Sequence, residues 1–353
     1  MESVEIFAII LFILDQCINS LVDFWVQWAI NGDDDGNGGI PATIVALMRV
    51  AMGGLILLPF VFIVDKPTKE AIKNHGKWFL LLGLIHGVHE ILLATGLQYT
   101  SAIMCGVIYA TQPFIAMVIS SILGWEKITK ILVLGLIFGI CGTIITINPV
   151  LIIQDIREGD ASSHLGTFLI FLDIIVYTIE IFVQKNVTTI FGPFAINSFS
   201  LLVGTAVVGI ASIPAFPTFI EVCKSGTIPR RSITSIICLG VIGGGVNLSV
   251  MTYCIKHITS VTLVATITMT IPLYSMVFST ILLSIPPHWY ELVGCAIIIL
   301  GLSIIIYGQS KRQTKAGDTE DDTGLLAESP YEPVSAIESG AIQLEDTRSN
   351  ILF

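Results

Sequence analysis

The sequence predicts an all-α integral membrane protein: ten transmembrane helices arranged as two inverted five-helix repeats. Three observations carry that expectation. The chain of 353 residues is 54% apolar and 12% charged, against roughly 25% charged in an ordinary soluble domain, and apolar runs long enough to cross a bilayer as helices recur along most of it. The stretch from Tyr99 to Gly142 then occurs twice. Thr100-Ser101, Pro113, Gly135 and Gly142 return as Thr259-Ser260, Pro272, Gly294 and Gly301, each displaced by 159 positions. Finally, five spans per copy is an odd number, so the second copy has to enter the membrane upside down relative to the first.

Taken in order, the expected spans are 5–30, 41–64, 78–98, 101–123, 130–150, 165–185, 194–214, 233–255, 260–284 and 289–308. The first is a membrane helix and not a cleaved signal peptide, because its leading residues include Glu2 and Glu5 in place of Lys or Arg, and its apolar run holds Asp15 and Asp23. Breakers separate the spans: an acidic loop from Asn31 to Gly39, a polar connection from Gln154 to His164, and the longest connection from Pro214 to Ser232. The organisation that follows is a first repeat over 1–150, a linker loop over 151–164, a second repeat over 165–308 and a tail over 309–353. The tail is rich in Ser, Gly, Pro and acids, the composition of a disordered segment.

The net charge of −10 does not imply a basic partner, since nine acids and four bases from Gly308 onward place −5 of it in the tail. Nucleic-acid binding has no support. The seven cysteines form no CxxC pair, and six lie within apolar segments, so neither a disulfide framework nor a zinc site is expected. Alternate loops carry unequal positive charge. Lys66, Lys69, Lys73, Lys77, Lys127, Lys130, Lys185, Lys256, Lys311, Arg312 and Lys315 stand on one side, against Arg157, Lys224, Arg230 and Arg231 on the other. The positive-inside rule therefore puts both termini in the cytosol. The sequon at Asn186 falls on the cytosolic side and should carry no glycan.

The segment Gly96-Leu-Gln-Tyr-Thr-Ser-Ala102, followed by Pro113, Trp125-Glu126-Lys127, Gly135 and Gly142, resembles the EamA family of the drug/metabolite transporter superfamily. Arg49 stands where that family commonly carries an Arg. The resemblance covers residues 1–308, and the second half departs from it where Leu283-Ser284-Ile285 takes the place of a residue like Glu126. It implies a ten-helix carrier of small organic solutes, within a superfamily that moves amino acids, purines, sugars and many other metabolites.

Ionisable side chains in hydrocarbon mark a cavity, a partner or a pathway. Span 1 carries Asp15, Asn19, Asp23 and Gln27 as one polar stripe, and its counterpart, span 6, carries Asp173, Tyr177, Glu180 and Gln184. Gln27 and Gln184 are expected to be wet ends, and Asp15 and Asp173 functional. Span 3 places His86, His89 and Glu90 on one face. Three readings stand for them: a proton relay, a metal site, or groups hydrogen-bonded to one another and to a neighbouring helix. Arg49 is expected in an ion pair with Asp15, Asp173, Glu90 or an anionic substrate.

Pro113 and Pro272 should kink their spans. Tyr109 and Gln112 precede the first, and Thr266, Thr268 and Thr270 the second, offering hydroxyls and amides to a polar ligand. Gly243-Gly244-Gly245 with Asn247 suits close helix contact. In the tail, Asp321 to Leu325-Leu326 looks like an acidic dileucine signal and Tyr331 to Val334 like a tyrosine-based one, both read by cytosolic adaptors, with an endosomal, lysosomal or vacuolar membrane, or the plasma membrane, as destination.

These features predict a carrier that moves a small polar organic solute by alternating access, with proton coupling through His86/Glu90 or Asp15. The rival is a channel or divalent metal-ion permease using the His/Glu cluster. No cofactor is expected, no metal ligand is assigned, and no nucleophile has a positioned base that would make the chain an enzyme.

Overall fold

The computed structural model describes residues 3–32, 39–100, 105, 108–147, 149–158, 161–226, 228–283 and 286–323, and among these every regular element is a helix. In chain order they are α1 (Ser3–Asn31), α2 (Ala42–Phe60) ending in a π turn (Val61–Asp65), α3 (Lys69–His75), α4 (Lys77–Tyr99), α5 (Gln112–Ile122), α6 (Lys130–Ile147), α7 (Pro149–Glu158), α8 (Ala161–Val187), α9 (Pro193–Ser212) and α10 (Phe216–Ser225). Then α11 (Arg230–Cys238) runs through a π segment (Leu239–Asn247) into α12 (Leu248–His257), α13 (Val261–Ile267) passes through a 3-10 turn (Thr268–Thr270) into α14 (Ile271–Leu283), and α15 (Trp289–Thr323) closes the series.

Nine helices among the described residues are long and apolar enough to cross a membrane, and α5 is a shorter apolar one in the place of the fourth expected span. The distribution of side chains is that of a protein solvated by lipid. Ile122, Ile210 and Ile281 are exposed, while Asp15, Glu90, Gln112 and Asp173 are buried. An apolar surface costs nothing in hydrocarbon, so the polar groups collect inside where they can satisfy one another.

The packing exchanges the two halves. α2 lies on α9, α6 on α15 and α5 on α13, each first-half span against its own counterpart. α4 packs on α8 much as α1 packs on the α11–α12 span, and α4 meets α9 as α2 meets the π segment. The directions follow from individual contacts. Gly142 meets Gly294 and Gly135 meets Gly301, so α6 and α15 run antiparallel. Ser198 Oγ donates to Gly54 O at 2.9 Å and Ser212 Oγ to Thr43 O at 3.0 Å, so α2 and α9 are antiparallel too. The glycines repeated in the sequence are thus the residues that let α6 and α15 touch backbone to backbone. The Gly-rich π segment is used in the same way: Gly244 faces Gly53 and the carbonyl of Arg49.

The structure departs from the sequence reading at four places. The linker 151–164 is largely helical, its first part within α7 and its last residues in α8. α15 continues past Gly308 to Thr323, because Gln, Lys, Arg, Ala and Glu there are good helix formers and no proline interrupts them. Leu325, Leu326, Tyr331 and Val334 lie outside the described residues. The two prolines do not bend a continuous helix. Gln112-Pro113 and Ile271-Pro272 each begin a new helix, after a turn at Ala110-Thr111 and after the 3-10 turn respectively. In a first turn the missing N–H of proline costs nothing. Thr111 Oγ1 donates to Ile108 O at 2.6 Å and Thr270 Oγ1 to Ile267 O at 2.7 Å, so the same hydroxyl covers the same carbonyl in both copies.

Asp65 ties the halves at one rim. Its Oδ2 accepts from Ala195 N at 2.6 Å in the first turn of α9, where a helix has unpaired N–H groups and a positive dipole end. Gly192 makes room, since a Cβ there would overlap the carboxyl. Asp65→Ala should destabilise the protein by about 1 kcal/mol, seen as a lower melting midpoint in detergent; an unchanged midpoint would remove this contact from those that hold the rim.

Candidate functional site

α4 carries three ionisable groups, two of which meet α8 and the third α2. His86 Nδ1 lies 2.9 Å from Glu180 Oε1, and His89 Nδ1 lies 2.6 Å from Asp173 Oδ1. Residues three apart on α4 therefore address residues seven apart on α8, which requires antiparallel helices whose polar stripes coincide. Glu90 stays on the other flank of His86. Its Oε1 is 3.5 Å from His86 Nε2 and 3.2 Å from Arg49 Nη1. Arg49 thus pairs with Glu90 among the candidates that the sequence left open. The imidazoles of His86 and His89 turn to separate carboxylates, and their rings stand 5.7 Å apart.

Asp173, fully buried, also accepts from the Tyr109 hydroxyl at 2.6 Å. The ring of Tyr177 stacks on His89 with centroids 4.8 Å apart and planes 19° from parallel. Its hydroxyl contacts Met251 Sδ at 3.4 Å, reaching from α8 to α12. Among the described residues Asp15 on α1 has one hydrogen-bond partner, Asn247 at the end of the π segment, whose Nδ2 donates to Asp15 Oδ2 at 3.1 Å. A π turn widens the helix and re-aims the side chains that follow it, which is how Asn247 comes to face α1. The network runs Arg49–Glu90–His86–Glu180 on one arm and Tyr109–Asp173–His89 on the other, and every link except Arg49–Glu90–His86 joins the first half to the second.

Three of the expected residues lie differently. Asn19 donates to Gln16 of its own helix at 2.9 Å and takes no part in the network. Gln112 accepts from Thr268 Oγ1 at 3.1 Å, linking the two helix breaks to each other. Gln184 is not a wet helix end. It is buried, and its Nε2 donates to Thr252 Oγ1 at 2.8 Å, because α12 covers that end of α8. The side chains of Asp23 and Gln27 lie outside the described residues.

Sequence reasoning missed a second layer at one end of the site. The ammonium of Lys185, assigned to a loop by composition, is buried and donates to the carbonyls of Ile255 and Ile258 at 2.6 Å, closing the C-terminal end of α12. Beside it Glu5 Oε1 accepts from Thr259 N at 3.0 Å and Glu126 Oε1 from Thr262 N at 3.3 Å, so two first-half carboxylates meet the start of α13. The repeated Thr-Ser pair marked this turn in the sequence; its partners came from distant parts of the chain.

A model of the EamA-like transporter family matches residues 25–148 and again 164–307. The chain belongs to that family. Among curated relatives, a WAT1-related protein of Arabidopsis thaliana is 21% identical over 295 residues, covering 78% of this chain and 81% of its own length. An uncharacterized transporter of Clostridium kluyveri is 23% identical over 76% of this chain and 84% of its own length. The uncharacterized transporter YetK of Bacillus subtilis is 26% identical over about half of each chain (47% and 49%). A solved crystal structure superimposes with a TM-score of 0.63 at 13% identity, over 86% of this chain and 96% of that one, which speaks for the fold alone. Family membership and these relatives identify a multi-pass membrane protein of transporter type.

Proposed function

We propose that this EamA-family protein is a secondary carrier that moves a small polar organic solute by alternating access, built as ten spans in two inverted five-helix repeats. One observation carries the reading: counterpart spans α2/α9 and α6/α15 pack antiparallel, and the buried ionisable groups lie where α4 of one half meets α8 of the other. Inverted repeats with polar groups at their junction are the architecture in which two half-bundles rock about a midplane site. The repeats extend over 1–150 and 165–308, and residues beyond 309 carry the sorting signals. Both termini face the cytosol, where adaptors reach Leu325-Leu326 and Tyr331 to Val334, and the destination is an endosomal, lysosomal or vacuolar membrane, or the plasma membrane. The chain performs no covalent chemistry.

Asp15, Arg49, His86, Glu90, Tyr109, Gln112, Asp173, Tyr177 and Asn247 serve binding or coupling in this reading. Proton coupling has physical support in the alternation of imidazole and carboxylate along Glu90–His86–Glu180. The competing reading, a channel or metal-ion permease, would need His86, His89 and Glu90 to converge on one ion. Their assignment to three different partners argues against it.

The test is solute uptake by the purified protein in liposomes with an imposed pH gradient. The carrier reading expects saturable uptake that collapses with the gradient and falls in His86→Ala. Unsaturable conductance, or flux that depends on zinc or manganese, would replace it with the rival.

A further inference from the structure

The buried charges of the site do not balance. Among the side chains described, Asp15, Glu90, Asp173 and Glu180 bring four carboxyls to the junction, and Arg49 brings one guanidinium. If all four are ionised, three negative charges remain; protonating both His86 and His89 still leaves one. A surplus charge in a membrane interior is neutralised by a proton or by a bound cation. The arrangement identifies which carboxyl is short of a partner. Glu90 has Arg49 and His86, Asp173 has His89 and Tyr109, and Glu180 has His86. Asp15 has a neutral amide.

The unsatisfied atoms point the same way. Asp15 is 2% exposed and Asn247 1% exposed, yet among the described residues Asp15 Oδ1 and Asn247 Oδ1 have no hydrogen-bond donor, nor has Glu180 Oε2. Buried acceptors left in this state are expensive. Asn247 spends its Nδ2 on Asp15 Oδ2, which leaves its own oxygen to accept from a ligand. Asp15 and Glu180 both lie within electrostatic reach of the Tyr177 hydroxyl. The pair therefore offers a ligand acceptors and a negative charge, the complement of an ammonium group with its several N–H donors.

We propose that Asp15 and Asn247 seat the primary ammonium group of a small organic amine, and that this cargo and a proton occupy Asp15 in turn. The proposal rests on the carrier reading above and names its substrate class. On binding, the Asp15 O–H bond breaks, its proton leaves to water, and the carboxylate receives the ammonium through ionic hydrogen bonds; no covalent bond to the cargo forms. The groups that interact with Asp15 across helices are Cys254 of α12 and Tyr177 of α8. Arg49 of α2 acts on the same Tyr177 and Tyr274 of α14 on Cys17 of α1, while α11 carries Arg230 and Arg231, the latter stacked on Trp28, and α12 ends in Lys256 and His257; α13, the π segment and the 3-10 turn carry no titratable side chain. Arg49 is engaged by Glu90, and among the described residues no cation is paired with Asp15.

The experiment titrates the purified full-length protein in weakly buffered detergent with ethanolamine, putrescine and agmatine, and with glucose and succinate as neutral and anionic controls. Melting midpoint and proton release are read together. At least one amine should stabilise the protein and release about one proton per molecule bound, since proton and amine compete for one carboxyl. Asp15→Asn keeps the shape and the contact to Asn247; it should weaken amine binding by about 10- to 100-fold and abolish proton release. Proton release from the unaltered protein needs no variant, so poor folding of Asp15→Asn would leave the test intact. Stabilisation by glucose or succinate alone, amine binding unchanged in Asp15→Asn, or binding without proton release would each overturn the proposal. Liposome flux separates it from the carrier reading: amine binding without flux keeps the site and removes the carrier, whereas saturable flux of a neutral or anionic solute keeps the carrier and removes the site.

Discussion

Arg49→Ala is expected to cost about 3–5 kcal/mol of stability, enough to lose most of the folded protein from a detergent extract. Arg49 Nη1 stands 3.2 Å from Glu90 Oε1, with the two side chains 13% and 3% exposed. Removing one partner of a buried pair leaves the other charge without compensation, and that penalty exceeds the net worth of the pair. His86 Nε2, at 3.5 Å, is too distant to replace a guanidinium and its fork of N–H donors. The double variant Arg49→Ala/Glu90→Gln should recover much of the loss, because the orphaned charge is gone. Melting midpoint and monodisperse yield in the four proteins of the cycle provide the check. Additive losses would mean that Arg49 and Glu90 act independently; a stable but inactive single variant would move Arg49 from scaffold to substrate.

Gly142→Leu should be as damaging, for a steric reason. A Cβ at Gly142 would stand 2.8 Å from both Gly294 O and Ile298 N, and one at Gly294 would stand 2.6 Å from Gly142 O and Thr146 N. The obstacles are backbone atoms of the facing helix, which cannot swing aside as a side-chain end can. α6 and α15 would have to separate along their whole contact, at about 3 kcal/mol or more. Gly209→Ala is the control. Its nearest neighbour would be a Leu47 side-chain carbon at 3.7 Å, an ordinary contact, and its midpoint should stay within about 0.5 kcal/mol equivalent of the parent. Equal midpoints for Gly142→Leu and the parent would deny that this helix pair holds the bundle.

Both substitutions bear on what could be read without coordinates. Gly135, Gly142, Gly294 and Gly301 stood out because a residue without a side chain is demanded wherever two backbones touch, and a demand that strict survives duplication visibly. The stripe on α8 and the triplet on α4 were legible for a similar reason: helical periodicity determines which residues share a face. Periodicity does not say what that face meets. Hence Arg49 could be offered four partners and Gln184 was assigned to water, although α12 covers it. Lys185 was missed because charge near a span end reads as solvated, and only the approach of the Ile255 and Ile258 carbonyls shows otherwise.

The sequence by itself determined that the chain is a membrane protein, that one pattern of Thr-Ser, Pro and two Gly occurs twice, and which polar residues are costly to leave in lipid. Those are properties of composition and local spacing, and each residue carries its share of them alone. The tertiary structure decided the pairings: Glu90 for Arg49, Asp173 and Glu180 for the two histidines, and a neutral amide for Asp15. They depend on contacts between helices some sixty to two hundred and thirty residues apart in several cases. Such contacts are set by how the faces of whole helices fit together, and no short stretch of chain contains that information.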